Sequence, residues 1–585
     1  VPRLRIALAQ TNSCVGDITG NADLIAQWSR RAADAGADLV AFPEMALTGY
    51  PVEDLALRES FVDASLAALE STASRLATDG LGGLPVVVGY LDREPGAVPR
   101  VGRPAGAPQD AVAVLYGGRV AVRSAKHHLP NYGVFDEFRY FVPGDRLPVL
   151  RLRGVDIAVA VCEDLWQEGG PVAVARQVGA GLLLTVNASP YERDKDDVRL
   201  ELCARRAVEA GAALAYVNMV GGQDELVFDG DSLVVDAAGK LLARGPQFTE
   251  DLLVTDVELP EAAAEPPGPG PYDAADGTRI RVEHVVLSQD PAPERAPLPA
   301  RIAEPMESAA EIYAALVTGT RDYVRKNGFR SVILNLSGGI DSALVATIAS
   351  DAVGPERVYT LLLPSRYSSD HSVQDAEELV KRQGLHAQLI PIADIVGAFE
   401  DRIDIDGLAA ENLQARIRGM LVMSLSNQHG HLVLTTGNKS ELATGYSTLY
   451  GDSAGGFAPI KDVPKTVVWE LSRWRNAQAE ARGEVPPIPE NSITKPPSAE
   501  LRPGQVDTDS LPAYDILDAL LHDYVERDLG RDALVAAGHD PALVDRVIRL
   551  VDRAEYKRRQ YPPGPKVTGR NFGRDRRLPI TSRWS

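Results

Sequence analysis

Three side chains in the first third of the sequence each follow a strand-like apolar run: Glu44 in AFPEMALTGYP, Lys126 in RSAKHHLPNYG and Cys162 in VAVCEDLW. A thiol attacking an amide needs a base to take its proton and a cation to stabilise the developing oxyanion, and these residue types supply both. Taken singly they are ordinary, since a strand cysteine is usually a small buried hydrophobe and a glutamate or lysine is usually solvated. A second constellation lies in SVILNLSGGIDSALVATIA, residues 331–349. Residues 332–336 read as a buried strand and 340–349 as a helix of small residues. The loop between them sits at a strand's carboxyl end and a helix N-terminus, where unpaired amides and the helix dipole favour an anion. Phosphate is the first candidate. A Walker loop would need G-x-x-x-x-G-K-[ST] and a dinucleotide fingerprint G-x-G-x-x-G, and neither is present. Ser337, Gly338, Gly339, Ile340, Asp341 and Ser342 offer instead two hydroxyls, two residues without Cβ, and a carboxylate placed to hold a metal. The bland alternative is a turn in which glycine only supplies an unusual φ.

Elements of two kinds must position these residues. Before residue 259, the runs RIALAQ, ADLVAFPE, PVVVGYLD, AVAVLYGGRVAV, VDIAVAVCED and GLLLTVNAS alternate with helical segments. The Gly-Gly in the fourth run marks a hairpin, so this sheet is mixed and a layered α/β sandwich is expected. After residue 303, AAEIYAALVTGTRDYVRK has helical periodicity, and strand and helix then alternate through RVYTLLLPS and HAQLIPIA to GHLVLTTGNKSE. That pattern predicts a doubly wound parallel sheet with ligands at the carboxyl ends of its strands. Pro, Ala and Gly dominate residues 259–277 and 289–305. The expected organisation is therefore residues 1–258, an extended connector over 259–303, and residues 304–585.

Composition bounds the function. A chain of 585 residues exceeds one ordinary core. With 61 basic against 81 acidic residues the formal charge is −20, which argues against general affinity for nucleic acid. Three cysteines exclude a disulfide framework and suit a reducing compartment. No apolar run reaches the length of a membrane span, and VPRLRIALAQ begins in a strand-like segment without a signal-peptide core, so cytoplasmic residence and no membrane partner are expected.

The hexapeptide SGGIDS resembles the pyrophosphate loop of the ATP pyrophosphatase superfamily, whose members cleave ATP between the α and β phosphates. FPE, K-x-x-L-P-N-Y and C-E-D look like the nitrilase superfamily with its Glu-Lys-Cys set. The combination resembles the glutamine-dependent NAD synthetases through nearly the whole chain. For the first half, a nitrilase-like α-β-β-α sandwich, the resemblance implies Glu44 as general base, Lys126 as stabiliser of the tetrahedral intermediate and Cys162 as the thioester-forming nucleophile. It also implies Glu137 as an orienting carboxylate and Tyr132, Ser189 and Lys195 as contacts to L-glutamine. For the second half it implies ATP as co-substrate, held by Asn335, Leu336, the SGGIDS loop, Thr436 and Lys465. Deamido-NAD falls to Asn412, Arg416, Glu441 and Lys557, and Mg²⁺ to Asp341 and Glu441. The chemistry implied is release of ammonia from glutamine and adenylation of a carboxylate for that ammonia to attack. Ammonia protonates in neutral water, so a shielded tunnel between the sites is expected, together with a homo-oligomer, an octamer by family habit.

Several residues are left outside these roles. Cys14 and Cys203 read as structural, and Arg418 as part of a solvated pair with Arg416. His127 and His128 have no Cys or His partner at metal-binding spacing, which argues against a metal there. Leu449 stands where the ammonia-dependent branch of the family commonly has Lys, so that contact does not transfer. Residues 486–515 resemble the family's mobile lid, with Ser498 near ATP. The basic run YKRRQYPPGPKVTGRNFGRDRR reads as a phosphate clamp, with an RNA grip and a disordered tail as alternatives. A different glutamine-dependent adenylating enzyme, such as one modifying tRNA, is the competing function.

Overall fold

The computed structural model describes residues 1–98, 101–274 and 276–584, with the backbone alone for Asp196. The chain divides into two compact units, Val1–Gln223 with Phe228–Met306 and Asp224–Val227 with Glu307–Ser585.

The first unit carries two stacked sheets. One has the order β14-β1-β2-β3-β4-β5, built from β1 (Arg3–Gln10), β2 (Leu39–Ala41), β3 (Val86–Arg93), β4 (Pro108–Tyr116), β5 (Arg119–Ala125) and β14 (Asp251–Glu258). The other has the order β13-β12-β9-β8-β7-β6-β16-β15. Its members are β6 (Arg146–Leu152), β7 (Val155–Val161), β8 (Leu182–Asn187), β9 (Ala213–Asn218), β12 (Leu233–Val235), β13 (Leu241–Arg244), β15 (Tyr272–Asp273) and β16 (Arg279–Ser288). A separate hairpin pairs β10 (Val220–Gln223) with β11 (Leu226–Asp229).

Side-chain alternation explains the layering. Val155, Ile157, Val159 and Val161 of β7 join Leu4, Ile6 and Leu8 of β1 in one core between the sheets, whereas Ala158 and Ala160 face an outer core. Helices α1 (Ile18–Asp34) and α2 (Glu59–Thr78) cover the first sheet. Helices α3 (Glu163–Trp166), α4 (Gly170–Gln177) and α5 (Lys195–Ala210) cover the second. The unit is an α-β-β-α sandwich with mixed sheets. One expectation needs correction: β16, inside the presumed extended connector, pairs in parallel with β6 and buries Ile280 and Val282. Its flanking Pro-rich stretches masked a ten-residue strand with alternating apolar residues, RIRVEHVVLS.

The second unit is built on a parallel sheet of order β19-β18-β17-β20: β17 (Val332–Asn335), β18 (Val358–Leu362), β19 (His386–Leu389) and β20 (Leu432–Val433). Helices α6 (Ser308–Lys326), α7 (Ile340–Val353), α8 (Asp370–Gln383), α9 (Ala393–Glu400) and α10 (Gly407–His429) connect and cover it. Beyond β20 come α11 (Lys439–Thr444), α12 (Lys465–Ala481), α13 (Glu490–Thr494) and α14 (Tyr514–Leu521). The strand order reverses between β17 and β20, and such a switch point opens a crevice at the strands' carboxyl ends. The SGGIDS loop leaves β17 there, and residues 434–438 leave β20 beside it.

Candidate active sites

In the first unit the three chemistry-bearing residues meet. Lys126, just past β5, places Nζ 2.7 Å from Glu44 Oε1, 2.9 Å from Glu137 Oε2 and 3.3 Å from Asp110 Oδ2. Cys162, between β7 and α3, has φ +40 and ψ −93, an uncommon conformation for a side chain with Cβ and one that concentrates at functional sites. Its thiol lies in hydrogen-bonding range of the Glu44 carboxylate and the Ala188 amide. The same amide donates to Glu44 Oε2 at 2.8 Å. The spacing of Glu44, Asp110 and Glu137 would also suit a metal ion, but the Lys126 ammonium already fills that position.

The electrostatics divide the labour. Burial pushes the Cys162 thiol well up, with the Glu44 charge adding to it, so the resting sulfur keeps its proton. Burial also works against the Glu44 anion, yet Lys126 beside it wins and leaves this carboxyl below its ordinary range. Burial opposes the Lys126 charge, but Glu137, Glu44 and Asp110 together raise its pKa well above that of a free lysine. The site is therefore an ionised base, a protonated thiol and a fixed cation, the arrangement needed for base-assisted sulfur attack on an amide.

The expected glutamine contacts gather at the nucleophile turn. Tyr132 donates its O–H to Glu163 at 3.0 Å, Ser189 follows the Ala188 amide, and Lys195 places Nζ 5.5 Å from the Trp166 ring. Glu137 accepts from Tyr50 at 3.0 Å as well as from Lys126. Two residues escaped the sequence reading. Asp110 is a buried carboxylate near the start of the mostly apolar strand PQDAVAVLY, a weak signal in the sequence. Asp164 accepts from the amides of His127 (3.0 Å), His128 (2.8 Å) and Val161 (3.1 Å), tying the lysine loop to the nucleophile turn. His127 and His128 do acquire an acidic neighbour, Asp276, that no spacing announced. Their ring nitrogens are engaged by Gly144 O at 2.7 Å and Asp276 Oδ2 at 3.2 Å.

In the second unit the SGGIDS loop is braced from within. Ser342 Oγ receives the Ser337 amide at 3.2 Å and donates to Gly339 O at 3.0 Å. Gly338 has φ +81, and a Cβ there would lie 2.0 Å from Ser372 O, so no other residue fits. Asp341, in the first turn of α7, accepts from Asn438 Nδ2 at 3.0 Å and pairs with Lys465. Asn438 caps α11 in a reciprocal capping box with Glu441. Burial and then the Asp341 charge push the Glu441 carboxyl well up, which marks two carboxylates facing each other with too little positive charge. Two carboxylates beside a phosphate loop are hard oxygen donors, the donor type that Mg²⁺ takes. Thr436 lies between β20 and α11, and Asn335 Oδ1, at the end of β17, is buried without a donor.

Asn412, Arg416 and Lys557 converge on the loop after α11. Asn412 Oδ1 accepts from Thr448 at 2.7 Å, Arg416 donates to Leu449 O at 3.2 Å, and Lys557 donates to Gly445 O at 2.8 Å and Ser447 O at 2.7 Å. The basic tail thus reaches backbone carbonyls: Arg558 donates to Ala443 O at 2.8 Å. Arg418 is no solvated partner of Arg416, since it is largely buried and donates to Leu363 O at 3.0 Å. Ser498 bonds within its own segment to Gln505 O, whereas Ser492 reaches Gly338 O at 2.9 Å. Asp507, also unforeseen, is buried near Lys465 and Asp341 and accepts from Tyr514 at 2.8 Å.

A carbon-nitrogen hydrolase joined to a nucleotide-activating synthetase is the class these two sites define. The carbon-nitrogen hydrolase model matches residues 5–265 and the NAD synthase model residues 312–561. The chain is 42% identical to the glutamine-dependent NAD(+) synthetase of Thermotoga maritima, covering 100% of this chain and 99% of the relative. Against that of Acinetobacter baylyi it is 41% identical over 99% of this chain and 98% of the relative. Among solved structures, glutamine-dependent NAD+ synthetase from Acinetobacter baumannii in complex with ADP superposes with a TM-score of 0.71 at 39% identity, covering 100% of this chain and 99% of that one. The synthetase from Cytophaga hutchinsonii shares the fold, with a TM-score of 0.77 at 22% identity over 99% of this chain and 98% of that one. The chain belongs to the glutamine-dependent NAD(+) synthetase family.

Proposed function

We propose that this enzyme makes NAD from deamido-NAD, with glutamine as nitrogen donor and ATP as activator. The observation that carries the reading is the presence, in one family member, of both an assembled Glu44–Lys126–Cys162 centre and an intact SGGIDS loop with Asp341, Glu441 and Lys465 beside it.

In the glutaminase half, Glu44 takes the Cys162 proton as sulfur attacks the amide carbon, and Lys126 stabilises the oxyanion. Collapse expels ammonia carrying the Glu44 proton and leaves a thioester, which water hydrolyses with Glu44 again acting as base. Tyr132, Ser189 and Lys195 hold the glutamine around the turn that follows Cys162. In the synthetase half, a carboxylate repels nucleophiles and has no good leaving group. Its oxygen attacks the α phosphorus of ATP, pyrophosphate leaves, and ammonia then displaces AMP. The loop amides and Lys465 neutralise the triphosphate, with Asn335 and Thr436 as further ATP contacts. Asp341 and Glu441 would hold Mg²⁺, which would supply Lewis-acid charge to the phosphates. Asn412, Arg416 and Lys557 surround deamido-NAD.

Ammonia passes shielded from solvent, because its protonated form has no lone pair for attack. The enzyme works as a homo-oligomer, supported by the fully exposed edge strand β19 and by Met420 and Met423 exposed on one face of α10.

The test is Cys162→Ala. Synthesis from glutamine falls by about a thousandfold or more, while synthesis from ammonium salts persists with AMP and pyrophosphate as products. Unchanged glutamine-driven synthesis, or ADP and orthophosphate as products, sinks the reading. An ammonia scavenger that blocks synthesis while glutamine hydrolysis continues sinks the shielded transfer.

A further inference from the structure

The pocket around Lys126 holds one ammonium and three carboxyl groups. Lys126, Glu44, Asp110 and Glu137 are each no more than 3% exposed. Their hydrogen-bond donors are unevenly shared. Glu44 receives Lys126 at 2.7 Å and the Ala188 amide at 2.8 Å, and it faces the Cys162 thiol. Glu137 receives Lys126 at 3.0 Å and the Tyr50 hydroxyl at 3.0 Å. Asp110 receives Lys126 at 3.3 Å on Oδ2, while its Oδ1 is buried without a donor. Carboxylate oxygens of Asp110, Glu44 and Glu137 lie within 4.8 Å of one another around the Lys126 ammonium. Two carboxylates at that range repel unless a proton sits between them, in which case the contact becomes a strong O–H···O⁻ bond. Three ionised carboxylates against one ammonium would also leave two uncompensated charges out of contact with water, which is strongly unfavourable.

We infer that Asp110 carries a proton at neutral pH and donates it to Glu44, as a positioning residue that keeps the general base ionised and turned towards Cys162. This deepens the glutaminase reading and rests on it. The groups facing Asp110 come from separate elements: Glu44 after β2, Lys126 after β5, and Glu137 from the turn that follows. Burial and the Glu44 charge push Asp110 well above the ordinary carboxylate range. Glu137, with two good donors, stays lower, at about 7. When Glu44 takes the sulfur proton, Asp110 keeps its own.

Glutamine hydrolysis is measured against pH for the full-length parent, Asp110→Leu and Asp110→Asn. Leucine removes the donor, so kcat/KM falls by about tenfold or more and the acid limb moves to higher pH, because Glu44 loses a bond favouring its ionised form. Asparagine restores an N–H donor and brings kcat/KM back to within about threefold of the parent. Infrared difference spectra at about pH 8.5, where Glu137 is ionised, find one buried protonated-carboxyl component that the parent and Glu137→Gln share and that Asp110→Asn has lost. The inference is overturned if asparagine is as damaging as leucine, since the ionised form is then required. It is equally overturned if the band survives in Asp110→Asn and vanishes in Glu137→Gln. A parent without Cys162-dependent glutamine hydrolysis would refute the glutaminase reading instead, and the infrared result is independent of that activity.

Discussion

At the residue scale, a buried charge cluster sets the pH response. Burial, against the pull of Lys126 and with the charge of Glu44, holds Glu137 up at about 7, above the 4.5 of an unperturbed glutamate. Folding therefore takes up a proton at this site at acid pH, and that stabilising share is lost as pH rises towards and through 7. The expected outcome is a thermal midpoint that declines between about pH 5 and 8 more steeply in the parent than in Glu137→Gln, read by calorimetry. A parallel decline in both proteins would contradict it. Glu44→Gln, which removes the base, lowers the rate of glutamine hydrolysis by about 10² to 10⁴ while ATP-dependent synthesis from ammonium persists. Both residues were recognisable from their motifs. Their partner Asp110 was not, because an aspartate in a strand announces burial only once the strand is known to be covered on both faces.

At the element scale, the SGGIDS loop depends on close backbone approach and helix α11 on its braces. Gly338→Ala would thrust Cβ to 2.0 Å from Ser372 O at a φ of +81. Pyrophosphate exchange should fall by about tenfold or more, consistent with roughly 1–3 kcal/mol of strain, with glutamine hydrolysis unaffected. Lys439, buried next to the Asn438 cap, bonds Glu526 at 2.9 Å, Thr568 at 2.6 Å and Arg570 O at 2.9 Å, and lies 3.1 Å from Asp462. Lys439→Met removes the ammonium shared by Glu526 and Asp462, both of which stay in place, and should cost about 3–5 kcal/mol, seen as an earlier unfolding transition. The basic tail, expected to grip phosphate, also has partners within its own unit. Residues 567–570 fold against α11 and the turn before α12: Lys439 donates to Thr568 and Arg570 O, and Asp462 accepts the Val567 and Thr568 amides at 2.8 Å each. Composition alone reads such a run as a solvated or anion-binding segment, since it does not reveal the acidic and carbonyl partners awaiting it.

At the scale of the whole molecule, the acidic balance of −20 and the two sites argue for small-molecule chemistry. Pyrophosphate release should respond to deamido-NAD and be indifferent to tRNA; stimulation by tRNA would favour the competing adenylating enzyme. If the exposed face of α10 lies in a subunit contact, Met420→Lys with Met423→Lys should lower the mass found by light scattering, and an unchanged mass would place the contact elsewhere.

The sequence by itself determined the two architectures and the ends of strands on which Glu44, Lys126, Cys162 and the SGGIDS loop sit. Apolar periodicity and turn chemistry are local, so neighbours within a few residues suffice to read them. Only the tertiary structure decided the strand of the presumed connector, the inward grip of the tail, and the partners Asp110, Asp164, Asn438, Lys439 and Asp507. Those depend on which strands pair, in what register and how deeply. A buried group's charge is likewise a collective property: the proton assigned to Asp110 follows from counting every donor and charge that folding brings around Lys126.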